Sequence, residues 1–194
     1  YLMEQPNEAL IRIYDDLKKE TAPYKTDAAC KKGCAFCCTD AGSIHITTLE
    51  GRVIRDAMSR LPRKGRTALQ KSLMKDMKKR KAGRPSPCPF LMKNRACMIY
   101  DIRPFVCRRV YSTRICTQGT PPMLSRQVME IADRTIRKLQ ALDSMGYSGH
   151  LSYILYMLDQ PKFRDTYLAG DFKPEEIVVF GKRHGILINR MPGE

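Results

Sequence analysis

Four of the eight cysteines in this 194-residue chain fall within nine positions, as Cys30-Lys-Lys-Gly-Cys34-Ala-Phe-Cys37-Cys38. Thiols at this density have to be bridged or ligated, and the two solutions imply different folds. The other four, Cys88, Cys97, Cys107 and Cys116, form a looser second group. Disulfide frameworks belong mainly to short secreted chains that cannot build a core. A chain of this length can remove about 70% of its unfolded surface from water, and 43% of its residues are apolar. Its core does not need bridges, so the spacing points to metal.

The local chemistry agrees. Cys34-x-x-Cys37 is a two-residue knuckle that lets both sulfurs face one centre while backbone N–H groups point at them. Gly33 permits the close approach or left-handed backbone that such a knuckle needs. Lys31 and Lys32 favour the thiolate form. Neighbouring side chains diverge in any regular conformation, so Cys38, adjacent to Cys37, is expected to serve a second site or a polynuclear cluster. Eight thiolates (Cys30, Cys34, Cys37, Cys38, Cys88, Cys97, Cys107 and Cys116) divide naturally into two four-cysteine sites. All-sulfur ligation suits an iron–sulfur cluster, [4Fe–4S] by preference, with zinc as the alternative. Prolines 87, 89 and 104 stiffen the backbone beside Cys88 and Cys107. Arg103 and Arg108 are expected to donate hydrogen bonds to the thiolate site or offset its charge.

These pieces together resemble the CxxCxxCC (YkgJ-like) family, described as zinc- or iron-chelating. The matching residues are Cys30-x3-Cys34-x2-Cys37-Cys38, Ile44-His45-Ile46-Thr47 with Glu50, Cys88-Pro-Phe-Leu91, Cys97-Met-Ile-Tyr100-Asp-Ile-Arg103-Pro104-x-x-Cys107-Arg108, and the later Cys116. The resemblance covers about residues 28–118 and implies a metal-binding region, with an iron–sulfur cluster suspected in some relatives. A flagellin lysine methylase among those relatives implies an alternative, a protein-modifying enzyme that uses the cluster. The spacing Cys30-x3-Cys34-x2-Cys37 is also that of radical S-adenosylmethionine enzymes, in which three thiolates leave one iron open. Five further cysteines and few strand signals speak against that reading.

Outside the cysteines the pattern is helical. Apolar stripes predict helices over 7–19, from Thr47-x-x-Glu50 to Leu61, over 66–81 and over 125–145, with Gly146 as a stop. A further helix is expected from a Ser148 cap to Pro161, and a short one over 174–182. Ser43–Ile46 alternates like a strand. The expected fold is mainly α: a single helix-rich domain over 1–194 around the metal-binding loop region, with a helical part over 120–194 and few short strands.

Charge is concentrated. The chain carries +15, yet residues 51–84 alone hold thirteen Lys and Arg against two acids and contain no aromatic residue. Phosphate-backbone contact by Arg63, Lys64, Arg66, Lys78, Lys79, Arg80 and Lys81 is therefore better supported than base stacking. The expected partner is anionic: a nucleic acid or an acidic protein. A structural zinc module gripping RNA through this stretch is a further alternative. No apolar run is long enough to span a membrane. Tyr1-Leu2-Met3-Glu4-Gln5-Pro6 does not read as a secretory signal, and an opening tyrosine is compatible with a targeting peptide already removed. Thiol-rich metal sites suit a reducing compartment, the cytoplasm or else an organelle matrix. No phosphate loop, zinc-protease helix or nucleophile elbow occurs. His45, His150 and His184 read as isolated, His45 being a core histidine more readily than a ligand. No catalytic residue is indicated.

Overall fold

The computed structural model describes residues 6–30, 33–39, 43–171 and 173–190. Helix α1 (Pro6–Thr21) buries Leu10 and Leu17 and carries Lys18 and Lys19 in its last turn, where they complement the helix dipole. The first cysteine stretch contains one turn of helix, α2 (Phe36–Thr39). Strand β1 (His45–Thr47) runs straight into α3 (Thr48–Ser59). That junction is the predicted capping box: the Thr47 side chain accepts from the Glu50 N–H, and the Glu50 carboxylate accepts from the Thr47 N–H. Pro62 then caps α4 (Arg63–Lys81), which starts three residues before its apolar stripe does.

From there to residue 125 the chain is mostly irregular. It is interrupted by a 3-10 turn at Tyr100–Ile102 and by α5 (Phe105–Arg109). Helix α6 (Arg126–Leu142) begins at Ser125, whose side chain accepts from the Val128 N–H. It is followed by β2 (Tyr147–His150), α7 (Leu151–Asp159), α8 (Pro161–Leu168) and a 3-10 turn at Pro174–Ile177. Helix α9 (Val178–His184) and β3 (Leu187–Ile188) complete the described chain. The fold is mainly α, as expected, with one small antiparallel sheet in the order β1-β2-β3. His45 pairs with His150 and Thr47 with Ser148, while Ser148 also pairs with Leu187.

Three expectations are corrected. Ser148 does not cap a helix; it lies in β2, and His150 caps α7 by accepting from the Ser152 N–H. All four residues of β2 are buried, because neighbouring strands and helices cover both faces, so no alternation marks the strand. Pro161 opens α8 at its first turn, where a missing N–H costs nothing. The histidines are not isolated: His150 faces His45 across the sheet, and His184 stacks on Phe180.

The core has two parts. One joins Ile46, Ile54, Leu73 and Phe90 to Leu151, Ile154, Leu155 and Leu158, with the side chains of Cys88 and Cys107 packed against it. The other joins α1 to α6 through Leu10, Leu17, Ile131 and Leu139, and takes in Leu49 and Phe105. Helix α3 touches both, Ile54 in the first and Leu49 in the second. Both cores thus meet the cysteine region from one side.

Candidate metal centre

A few backbone hydrogen bonds decide which cysteines become neighbours. The Ala29 N–H donates to the Ser112 carbonyl at 2.8 Å, which lays Cys30 beside the segment leading to Cys116. The Cys88 N–H donates to the Cys38 carbonyl at 2.7 Å, which lays Cys37 and Cys38 beside Cys88. Leu91 and Cys97 then pair as an isolated bridge, and the Met98 N–H reaches the Phe90 carbonyl at 2.9 Å. Helix α5 brings Cys107 into the same neighbourhood. The eight therefore sort into Cys30, Cys34 and Cys116 on one side, and Cys37, Cys38, Cys88, Cys97 and Cys107 on the other.

Their electrostatics carry the same signature. All eight thiols are free. Burial pushes Cys30 up, and the charges of Cys34, Cys116 and, last, Cys37 push it further, against a backbone hydrogen bond from Ser112. Cys37 is raised far above the ordinary thiol range, first by its hydrogen bond with Cys38 and then by burial. Burial lifts Cys88 to about 11, with Cys97, Asp76 and Cys37 adding to the shift. Burial lifts Cys107 to about 12, with further contributions from Cys88, Cys37 and Cys97. Cys97 is likewise raised by burial, and Cys37 adds to it. Mutually raised thiols share a neighbourhood in which a cation would reverse the shifts by stabilising the thiolates.

The loops are also built for sulfur. The backbone amides of Phe90 and Ile99, each two residues on, oppose the upward shifts of Cys88 and Cys97. Amides placed to favour a thiolate are expected around ligating sulfurs. Gly33 adopts φ +88°, the left-handed conformation, but Cys34 and Cys37 fall into different groups, so the expected knuckle does not turn both sulfurs to one centre. Among the described residues, no three Cys, His, Asp or Glu side chains converge on a point that could hold a single ion. The donor set itself, eight free thiols in two neighbourhoods with amides facing sulfur, fits zinc or iron chemistry.

The two arginines divide the supporting work. Arg103 lowers the pKa of Cys37, Cys97 and Cys107, so its guanidinium faces the larger group. It also lies over the Tyr100 ring, 3.7 Å from the centroid, and donates to the Tyr100 carbonyl. Arg108 points into the scaffold: it donates to the carbonyls of Arg103 and Asp101 and lies over Tyr14. Arg108 thereby positions Arg103. Glu50 does the same for Cys107. Its buried carboxylate accepts from Tyr14 Oη and from the Phe105 N–H at 2.6 Å, which fixes the first turn of α5.

Beside the smaller group lies a cleft of about 650 Å³ lined by Cys30, Cys34, Cys116, Phe36, Arg95 and Arg114. Nothing in the residue pattern singles out these two arginines. Of the basic positions in α4, Arg63, Lys64, Arg66, Lys78 and Lys81 are exposed and Lys79 is half-buried. Arg80 instead turns inward and pairs with buried Asp76 at 3.0 Å. Asp76 also accepts from Ser152 Oγ, with His150 Nδ1 at 3.6 Å. The Asp76–Arg80 pair has the i, i+4 spacing of one helix face, but Ser152 and His150 join it only in the folded chain. No helix among the described residues is long and apolar enough to cross a membrane.

No curated protein and no solved structure matches the chain. A family model described as "Putative zinc- or iron-chelating domain" matches residues 29–137, from the residue before Cys30 to the middle of α6. That stretch holds all eight thiols, both supporting arginines and the helix behind them. The chain belongs to the CxxCxxCC family.

Proposed function

We propose that this protein binds iron–sulfur clusters, with its eight cysteines as ligands in the two groups just described. The observation that carries the reading is the pair of backbone links, Ala29 to Ser112 and Cys38 to Cys88, which gather thiols distant in sequence. Adjacent Cys37 and Cys38, and sulfurs that approach one another without meeting at one point, suit a polynuclear cluster better than a single zinc ion. Four of Cys37, Cys38, Cys88, Cys97 and Cys107 would hold a [4Fe–4S] centre near the Arg103 guanidinium. Cys30, Cys34 and Cys116 would hold a second centre. Such a cluster supplies electron transfer or Lewis acidity; the chain supplies thiolates, N–H donors and a partly buried setting that tunes it. Free thiols in this number favour a reducing compartment such as the cytoplasm.

Anaerobic purification with iron, sulfide and zinc analysis tests the proposal. Iron and acid-labile sulfide in comparable amounts, lost on Cys37→Ser or Cys88→Ser, are expected. Stoichiometric zinc without sulfide would replace clusters by structural zinc, and a metal-free, fully folded protein would end the metal reading.

Helix α4 supports a second activity, contact with a polyanion. Its only acid, Asp76, is buried in the pair with Arg80, so the exposed face of this 19-residue helix carries basic groups and no carboxylate. Lys64, Lys71, Lys75 and Lys78 recur on one stripe along roughly 21 Å of helix. Their spacing suits phosphates rather than bases. Binding to duplex RNA should weaken steeply with salt, and a flat salt dependence would count against it.

A further inference from the structure

We infer that the cleft beside Cys30, Cys34 and Cys116 is a binding site for a small organic anion, held by Arg95 and Arg114 against the three-thiol wall. The inference rests on the assignment of those three cysteines as ligands. Three facts carry it. The cleft has a volume of about 650 Å³, which is the size of a small-molecule site. Its wall combines two guanidinium groups with the apolar side chains of Phe36 and Ile115, a pairing that suits a carboxylate or phosphate attached to a hydrocarbon or ring.

The third fact is the backbone of Arg95. Among the described residues it is the one non-glycine residue at positive φ, +62°. It forms the tip of a tight loop in which its N–H reaches the Met92 carbonyl and the Met92 N–H reaches the Ala96 carbonyl. Glycine would take this conformation at lower cost, and a strained arginine at a cleft is a mark of function. Neither Arg95 nor Arg114 makes a side-chain hydrogen bond or ion pair among the described residues, so both guanidinium groups are open to a ligand. A smaller group of three sulfurs, against five in the other, leaves room for that ligand to approach the centre from the cleft side.

The test uses metal-loaded full-length protein titrated by calorimetry with phenyl phosphate and with benzoate, and with neutral benzamide as the control. Saturable binding of one equivalent of either anion, without benzamide binding, is expected. Arg114→Gln should weaken it by about tenfold, the worth of one charge-assisted hydrogen bond. Arg95→Gly should weaken it similarly while melting at or above the parent temperature, so that lost affinity cannot be ascribed to misfolding. A shift in the visible or paramagnetic resonance spectrum on anion binding would place the anion next to the metal centre. No saturable binding to fully loaded protein, or unchanged affinity in both arginine variants, overturns the inference. The triple variant Cys30→Ser, Cys34→Ser, Cys116→Ser reads the underlying assignment separately. If it keeps the full metal content of the parent, the ligand assignment fails whatever the anion does.

Discussion

Gly146 has no room for a side chain. A Cβ there would meet Thr48 Oγ1 and the Asp143 carboxylate, which are bonded to each other at 2.7 Å. Gly146→Ala should therefore destabilise by about 3 kcal/mol, combining overpacking with a broken buried hydrogen bond. Urea unfolding at neutral pH would show it, and a loss under about 1 kcal/mol would contradict the packing. Asp143 and His150 give a second prediction, because burial moves them in opposite senses. Burial lifts Asp143 to about 6, with Glu50 adding and the bonds from Thr48, Tyr167 and the Leu49 N–H opposing. Its contribution is present at low pH and is lost as pH rises through 6. Burial depresses His150 to about 4, helped by Arg80 and His45 and opposed by Asp76. Its contribution is present above the unfolded value near 6.5 and is lost as pH falls through 4. The two slopes oppose each other between pH 4 and 6 in the parent. His150→Asn, which keeps a capping acceptor, should lose stability from pH 4 to 6, and Asp143→Asn should gain it. Melting temperature against pH separates them, and parallel profiles for the two variants would refute the assignment.

Glu50 shows what one side chain does for an element. It closes the cap of α3, receives Tyr14 from α1 and holds the first amide of α5. Glu50→Ala should cost about 3 kcal/mol by leaving buried donors unpaired, and it should also reduce metal content by loosening Cys107. Loss of stability with full metal retention would mean that α5 does not depend on it. At this scale the helices were legible in the sequence, because caps and amphipathic stripes are local signals. Helix α6 ends three residues before the apolar stripe suggested, at an Asp143 drawn into the buried network. The sheet was barely legible: β2 is buried on both faces and β3 is two residues long. The cysteines proposed as ligands stood out as a set through their spacing, but their sorting into three and five did not. That sorting depends on hydrogen bonds between residues as far apart as Ala29 and Ser112. Arg80 was misplaced for a different reason. Asp76 stands one helical turn before it as an i, i+4 partner, a spacing outweighed by the run of basic residues around Arg80.

For the molecule as a whole, the core formed by α1 and α6 contains no cysteine, whereas the core around Phe90 and Ile154 has Cys88 and Cys107 packed against it. Removing metal should leave most helical circular dichroism in place while opening the stretch between residues 84 and 125 to protease. Collapse of all helical signal on chelation would show instead that the two cores fold as one with the metal. The basic face of α4 lies on the opposite arm of this balance. Lys64→Glu, Lys71→Glu, Lys75→Glu and Lys78→Glu together should abolish polyanion binding without changing metal content, and unchanged binding would place the contact elsewhere.

The link from Ala29 to Ser112 also dictates an order of events during synthesis. Neither thiol group can close until the chain has been made as far as Cys107 and Cys116. At typical rates of elongation, Cys30, Cys34, Cys37 and Cys38 wait for several seconds as unpaired thiols on a nascent chain. During that interval they can capture stray metal or oxidise to the wrong partners. Correct loading therefore waits until the chain has been made beyond Cys116, and the yield of holoprotein should depend on how well the cell shields those first four sulfurs.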